Sequence, residues 1–381
     1  MGKLMSRRVA VAALVAGCFV MAACGSDDDS GGSGSASTSA STSSTTAAAK
    51  SDAQKIVDEF SSPVKWPGPN DPVKAPAGKK ITMITCGSQG ITCVRVANGV
   101  KAAGQALGYQ VKVVDGRSDP SVWNQAIKNA IADKADGIAM SAIPPVVVGD
   151  AIKSAKAAGI PIAAGLSTAG PAEVKATPNR PDIARANAAY LAVDSGGKAK
   201  VLSIRDDEFP ETKQTADLLP KQLKELCQGC EVTQEIDFTL ALASARLASK
   251  VTQALRNHPD INYITTPFDT VNVFVQQGIA QAQKKGKVKI VGVGGDPPSV
   301  EAIKAGDEVA SLGEPGEWVG WMLVDGLTRI FAKQDVPPID AQTDTNYVVP
   351  QRFITTKTEL DPQGWQGGFD YETKYKELWG K

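Results

Sequence analysis

Two cysteine pairs stand out among the residues able to do chemistry. Cys86 and Cys93 bracket the glycine-containing stretch "CGSQGITC", directly after the apolar run "KKITMIT", and Cys227 and Cys230 form "CQGC". A phosphate cradle, a nucleophile, a metal clip and a stapled recognition loop are each conceivable for the first pair. The loop has neither G-x-G-x-x-G nor Gly-Lys-Ser/Thr, the patterns whose backbone amides hold phosphate. A catalytic cysteine needs a histidine partner, and the single histidine, His258, falls in the turn "RNHPD". It reads as a surface turn residue, which removes Ser-His-Asp and Cys-His chemistry as ready options. A zinc site at "CQGC" would want two more ligands nearby, and none is visible. A redox C-x-x-C belongs after a strand at a helix start, whereas this one follows a helix and precedes a strand. "VGVGGDPPS" has the wrong glycine spacing for a dinucleotide turn, and prolines follow its aspartate. No catalytic residue, cofactor or metal site is therefore assigned.

The amino-terminal segment sets the compartment. "MGKLMSRR" is basic, and the apolar run "VAVAALVAGCFVMAA" is too short for a comfortable membrane span. This is a secretory signal pattern over residues 1–23, ending in "MAAC". The ending resembles a bacterial lipobox, with Met21 where leucine is usual, so Cys24 would be lipidated and become the mature amino terminus. The alternative is an ordinary signal peptide cut near Ala23. Residues 24–50, rich in Ser, Gly and Thr, cannot bury enough apolar surface to offset their ordering entropy and are expected to form a disordered tether. Four cysteines remain in the body, and an even count in an exported chain favours the disulfides Cys86–Cys93 and Cys227–Cys230. Closing the first loop is worth roughly 2–3 kcal/mol by chain entropy. It would also pre-order the loop for binding; the alternative is a staple that never touches ligand.

The rest of the chain must position these groups. Charge is balanced, with 41 basic and 41 acidic residues, so no whole-chain bias points to nucleic acid. Residues 51–78 read as a short amphipathic helix and a proline-rich strap anchored by Trp66. From Lys80 onward, short apolar strands alternate with helices: "ITMITC", "YQVKVVDG", "ADGIAMSAI" and "IPIAAG", then "KAKVLSIRDD", "EVTQEIDF", "INYITTPFD" and "KVKIVGVGGD". This alternation indicates right-handed βαβ units and parallel sheets. The block "KADGIAMSAI…AGIPIAAG" is echoed by "HPDINYITTPFD…KVKIVGVGG", an internal duplication giving two similar α/β lobes. Ligands of open parallel sheets bind beyond the carboxyl ends of the strands. If those ends face each other, "CGSQGITC" is the first loop of a shared cleft.

Over roughly Lys79 to Thr356 the order of these pieces, with "NHPDINYITTPFD" and "KVKIVGVGGDPPSVEAIKAG", resembles the type I periplasmic binding proteins, the ribose- and galactose-binding type solute receptors of ABC importers. The resemblance implies two Rossmann-like lobes with parallel sheets joined by a three-strand hinge. The crossings would lie near "STAGPAEVKATPN", "LGEPGEW" and "QDVPPIDAQTDTNYVVP". The amino-terminal lobe would hold residues 79–170 plus 314–338, the other 175–313 plus 345–357, and a carboxy-terminal extension 358–381 would pack across a lobe or the hinge.

Position by position, the resemblance makes Ser88, Gln89, Ile91 and Thr92 ligand candidates in the first loop. Ser141 and Ser167 join them at later strand ends. The second lobe offers Phe209, Lys213, Phe238, Phe268, Asp269 and Asp296, and the second crossing offers Glu314. Sugar-binding members commonly carry an acid–arginine pair after the "IPI" strand. Here that place reads Gly165, Leu166 and Ser167, with no local cation. The remaining acids would suit a neutral polyol or a cation more than an anion. The implied function is a monomeric, non-enzymatic solute-binding subunit, lipid-anchored outside the membrane, that delivers a small sugar-like or polar solute to an ABC permease by hinge closure. A ligand-sensing domain for a membrane receptor is the alternative, and an enzyme on the same fold a more distant one.

Overall fold

The computed structural model describes residues 52–167 and 170–381, so the signal segment, Cys24 and the tether lie outside the described residues. The inner strands of each sheet are near-continuous apolar runs because helices cover both of their faces. β1 (Lys80–Thr85), β3 (Gly137–Ser141) and β9 (Lys289–Gly294) are buried along almost their whole length.

The first sheet also contains β2 (Gln110–Asp115), β4 (Ile162–Gly165), β5 (Val174–Thr177) and β11 (Tyr347–Val348), in the order β11-β5-β4-β3-β1-β2, all parallel. The second runs β12-β10-β9-β8-β6-β7. It adds β6 (Lys200–Arg205), β7 (Glu231–Asp237), β8 (Tyr263–Thr265), β10 (Ala310–Gly313) and β12 (Arg352–Ile354). Only β12 is antiparallel to its neighbour.

Three strips of chain join the lobes. Residues 178–179 link β5 to α5 (Arg180–Asp194), 314–315 link β10 to α10 (Gly316–Phe331), and 349–351 link β11 to β12. The expected boundaries shift accordingly. Residues 175–177 and 347–348, assigned from sequence to the second lobe, belong to strands of the first sheet. A strand of two to four residues beside prolines carries no periodic signal, so these were invisible as strands.

α10 returns to the first lobe and crosses α2 (Ile91–Leu107) with glycine at the contact on both helices. A Cβ on Gly99 would lie 2.0 Å from the Glu317 carbonyl oxygen, and one on Gly320 would lie 2.5 Å from that of Val96. Larger residues at either place would force the helices apart.

Two further straps span both lobes. The helix over 52–61, α1, lies on the second lobe: Phe60 packs on Phe353, and Glu59 pairs with Arg185. The chain then crosses so that Trp66 stacks on Trp318 of α10. The carboxy-terminal segment runs the same way. Trp365 packs with Val300, Ile303 and Ile354 of the second lobe, and α11 (Tyr371–Leu378) docks on the first, where Trp379 stacks on Trp321 at 5.2 Å. The Trp379 Nε1–H donates to the buried Asp325 carboxylate at 2.8 Å, which also accepts from Tyr347 and Arg329.

Both disulfides are formed. Cys86–Cys93 ties the end of β1 to the first turn of α2, and Cys227–Cys230 closes the turn between α6 (Pro210–Leu226) and β7. Trp379→Ala would remove the stacked ring and one partner of buried Asp325. Chemical denaturation should show a loss of about 3–5 kcal/mol; a loss under about 1 kcal/mol would mean that the tail is only draped on the lobe.

Candidate functional site

The strand tips of the two sheets face each other across a cavity lined from both lobes. The first lobe supplies the Cys86–Cys93 disulfide, Thr92, Ala142 and Leu166; the second supplies Arg180, Phe209, Glu211, Thr212, Leu240, Pro267, Phe268 and Thr270; Glu314 comes from the second crossing. The cavity has a volume of about 80 Å³. One water needs about 10–15 Å³ by that measure, so the space suits one small solute. Ala142 and Leu166, at the tips of adjacent strands β3 and β4, have φ of 47° and 60°. Non-glycine residues in this left-handed region store of order 1 kcal/mol each and cluster at ligand clamps. Here the Ala142 amide donates to Gly165 O and the Leu166 amide to Ala176 O, both at 2.8 Å, holding the strained tips in place.

Four of the residues chosen from sequence line the cavity: Thr92, Phe209, Phe268 and Glu314. The others lie elsewhere. Ser88 and Gln89 are exposed, on the outer side of the disulfide loop. Ser141 is buried behind it, donating to the Cys93 carbonyl at 3.4 Å. Lys213 points outward to Asp217. Phe238 supports Phe268 from behind, edge to face at 6.0 Å. Asp269 is spent on structure: its Oδ2 accepts from the Gly295 amide at 2.7 Å and Ser311 Oγ at 2.7 Å.

Ile91, Ser167 and Asp296 bridge the lobes without lining the cavity. The Ile91 amide donates to Thr270 Oγ1 at 3.3 Å, and Ser167 Oγ donates to Glu211 Oε1 at 3.1 Å. Thr92 Oγ1 donates to Asp296 Oδ2 at 3.0 Å, and Arg95 Nη1 donates to Asp296 Oδ1 at 3.0 Å. Asp296 was expected to accept from ligand, but both its oxygens are taken by the opposite lobe. Arg95 also holds Glu317, and its Nη2 donates to the Trp365 carbonyl at 2.6 Å.

Sequence reading passed over Arg180 and Glu211. Arg180 is the first residue of α5, yet its guanidinium reaches back across the hinge, donating through Nη2 to Leu166 O and through Nη1 to Glu314 Oε1, both at 3.4 Å. The place after β4 that lacks a cation in sequence therefore has one in space. The signal available was an arginine beside the first crossing. Burial pushes the Glu314 carboxyl up, Arg180 opposing and Asp296 adding to the shift.

A model of the periplasmic binding protein domain matches residues 83–335. The chain belongs to that family. Solved structures agree in fold. An ABC transporter solute-binding protein from Agrobacterium vitis with bound allitol is 20% identical, with a TM-score of 0.64 over 74% of this chain and 96% of that one. A solute-binding protein from Burkholderia graminis in complex with D-arabinose is 19% identical, with a TM-score of 0.67 over 76% of this chain and all of the other (100%). A sugar ABC transporter protein from Yersinia enterocolitica is 15% identical, with a TM-score of 0.69 over 80% and 94%. At these identities the likeness is one of fold. No curated protein sequence matches the chain significantly.

Two predictions follow from this geometry. Asp296→Asn weakens the bonds to Arg95 and Thr92, so solution scattering without solute should give a larger radius of gyration than the wild type; equal radii would show that these bonds do not hold the lobes together. Asp206, just beyond β6, is pushed up to about 7 by burial, and its Oδ2 has no hydrogen-bond partner. An unfolded aspartate titrates near 3.9. The folded form therefore holds the extra proton between about pH 4 and 7, and stability falls as pH rises through that window. Asp206→Asn should remove part of that fall in denaturation midpoints at pH 4.5 and 8, and an unchanged slope would refute the assignment.

Proposed function

We propose that this periplasmic binding protein is the extracytoplasmic receptor subunit of an ABC importer. It binds one small, polar, sugar-like or polyol solute between its lobes and hands it to a membrane permease. The observation that carries the reading is the cavity between opposed strand tips, with polar and aromatic groups contributed by both lobes. Such a solute contacts both halves only when they are closed, so binding favours the closed state by its differential affinity. Phe268 and Phe209 offer faces for the apolar side of a ring or chain. Thr92 and Glu314 offer hydrogen bonds to hydroxyls, and the disulfide keeps the first loop ordered. Chemistry on the solute forms no part of the reading, which accords with membership of a binding-protein family. Cys24 would carry the lipid that holds a monomeric receptor at the outer face of the membrane; among the described residues no helix is long and apolar enough to cross one.

Mass spectrometry of the solute released from the purified protein, with a thermal-shift panel of pentoses, hexoses and alditols, tests the reading. A bound solute should raise the melting temperature and compact the protein in scattering. Phe268→Ala should weaken that solute by about 30-fold, for roughly 2 kcal/mol of lost ring contact, and leave the solute-free fold intact. A tight-binding solute that left the scattering profile unchanged would refute hinge closure.

A further inference from the structure

Among the described residues, Arg180 is the one Lys or Arg side chain that lines the cavity. It is only 8% exposed, its two hydrogen bonds are both long at 3.4 Å, and its Nε has no partner. A guanidinium carries five N–H donors in a fixed fork. Burying it with so few short bonds is costly unless something else accepts from it. The two groups it does reach are telling. Leu166 O belongs to the strained tip of β4 in the first lobe, and Glu314 to the second crossing, while Arg180 itself opens α5 of the second lobe directly after the first crossing. Its head therefore sits where two hinge strips and both lobes meet.

The charges around it restrict what it can hold. Glu211 and Glu314 line the same space and are each 5% exposed. One cation and two carboxyl groups thus share the cavity lining, Glu314 bonded to Arg180 and Glu211 accepting from Ser167. A carboxylated guest would add a further negative group to a buried site already supplied with them, an unfavourable desolvated arrangement. An uncharged guest with adjacent hydroxyls meets no such conflict: one oxygen accepts from the Arg180 fork, and its own O–H, or a neighbouring one, donates to a carboxylate.

Resting on the receptor reading above, we propose that Arg180 is the solute-orienting cation of this cleft, delivered from α5 in place of a residue after β4, and that Glu211 and Glu314 beside it select uncharged hydroxylated solutes against their carboxylated counterparts.

The test uses the full chain and isothermal titration with pentoses, hexoses and alditols, each paired with the corresponding aldonate or uronate. The wild type should prefer the best neutral solute over its carboxylated partner by at least 100-fold. Arg180→Met should weaken the neutral solute at least 30-fold. Arg180→Lys keeps the charge but not the fork, and should weaken it at least tenfold; it also keeps the test readable if the Met variant fails to fold. Glu314→Gln should narrow the neutral-over-anionic preference at least tenfold. Near-wild-type binding in the lysine variant, or a wild type that favours the carboxylated partners, overturns the proposal while leaving the receptor reading intact. A wild type that binds no member of the panel overturns both.

Discussion

Arg95 is a cation shut away from water. Its side chain is 4% exposed, and every direction it points in belongs to a different part of the molecule: Asp296 in the opposite lobe, Glu317 at the start of α10, and the Trp365 carbonyl in the carboxy-terminal segment. A buried guanidinium is tolerable only when its donors are met, and removing one partner of such a set costs several kcal/mol. The contact between lobes is therefore tied to the hinge and the tail. Thr92, three residues earlier on the same helix, adds its hydroxyl to the same carboxylate.

The hinge gains from this arrangement. Three strips connect the lobes as chain crossings, and the 52–78 and 358–381 segments each touch both lobes as well. Trp66, Trp318, Phe369 and Tyr371 form a stack where the two segments meet beside α10. Any rotation of the lobes must be absorbed by five connections instead of three. The stacked aromatic contacts bury broad apolar surface and hold both segments on α10.

Much of the frame was legible in sequence for a specific reason. β1, β3 and β9 are buried on both faces, so they read as apolar runs between helices. Phe268 and Thr92 lie in the segments that leave strand ends and could be placed on the cleft. What was not legible depends on partners distant in sequence. Asp296 sits in the expected loop, but its role is fixed by Arg95, 201 positions away. Arg180 and Glu314 are 134 positions apart. β10 and β12 belong together because the fold pairs their edges; neither four nor three residues can announce a strand. Lys213 failed because an i,i+4 carboxylate, Asp217, holds it outward on the helix surface.

The carbonyl that completes the Arg95 shell lies 270 residues further along the chain. During synthesis, which proceeds from the amino end, α2 is finished long before Trp365 exists. Until residues 365–379 have been added, one donor of that guanidinium lacks its acceptor and the aromatic stack on α10 lacks its outer layer. A chain lacking the segment from Trp365 onward would keep every lining residue of the cavity without the fastening behind it.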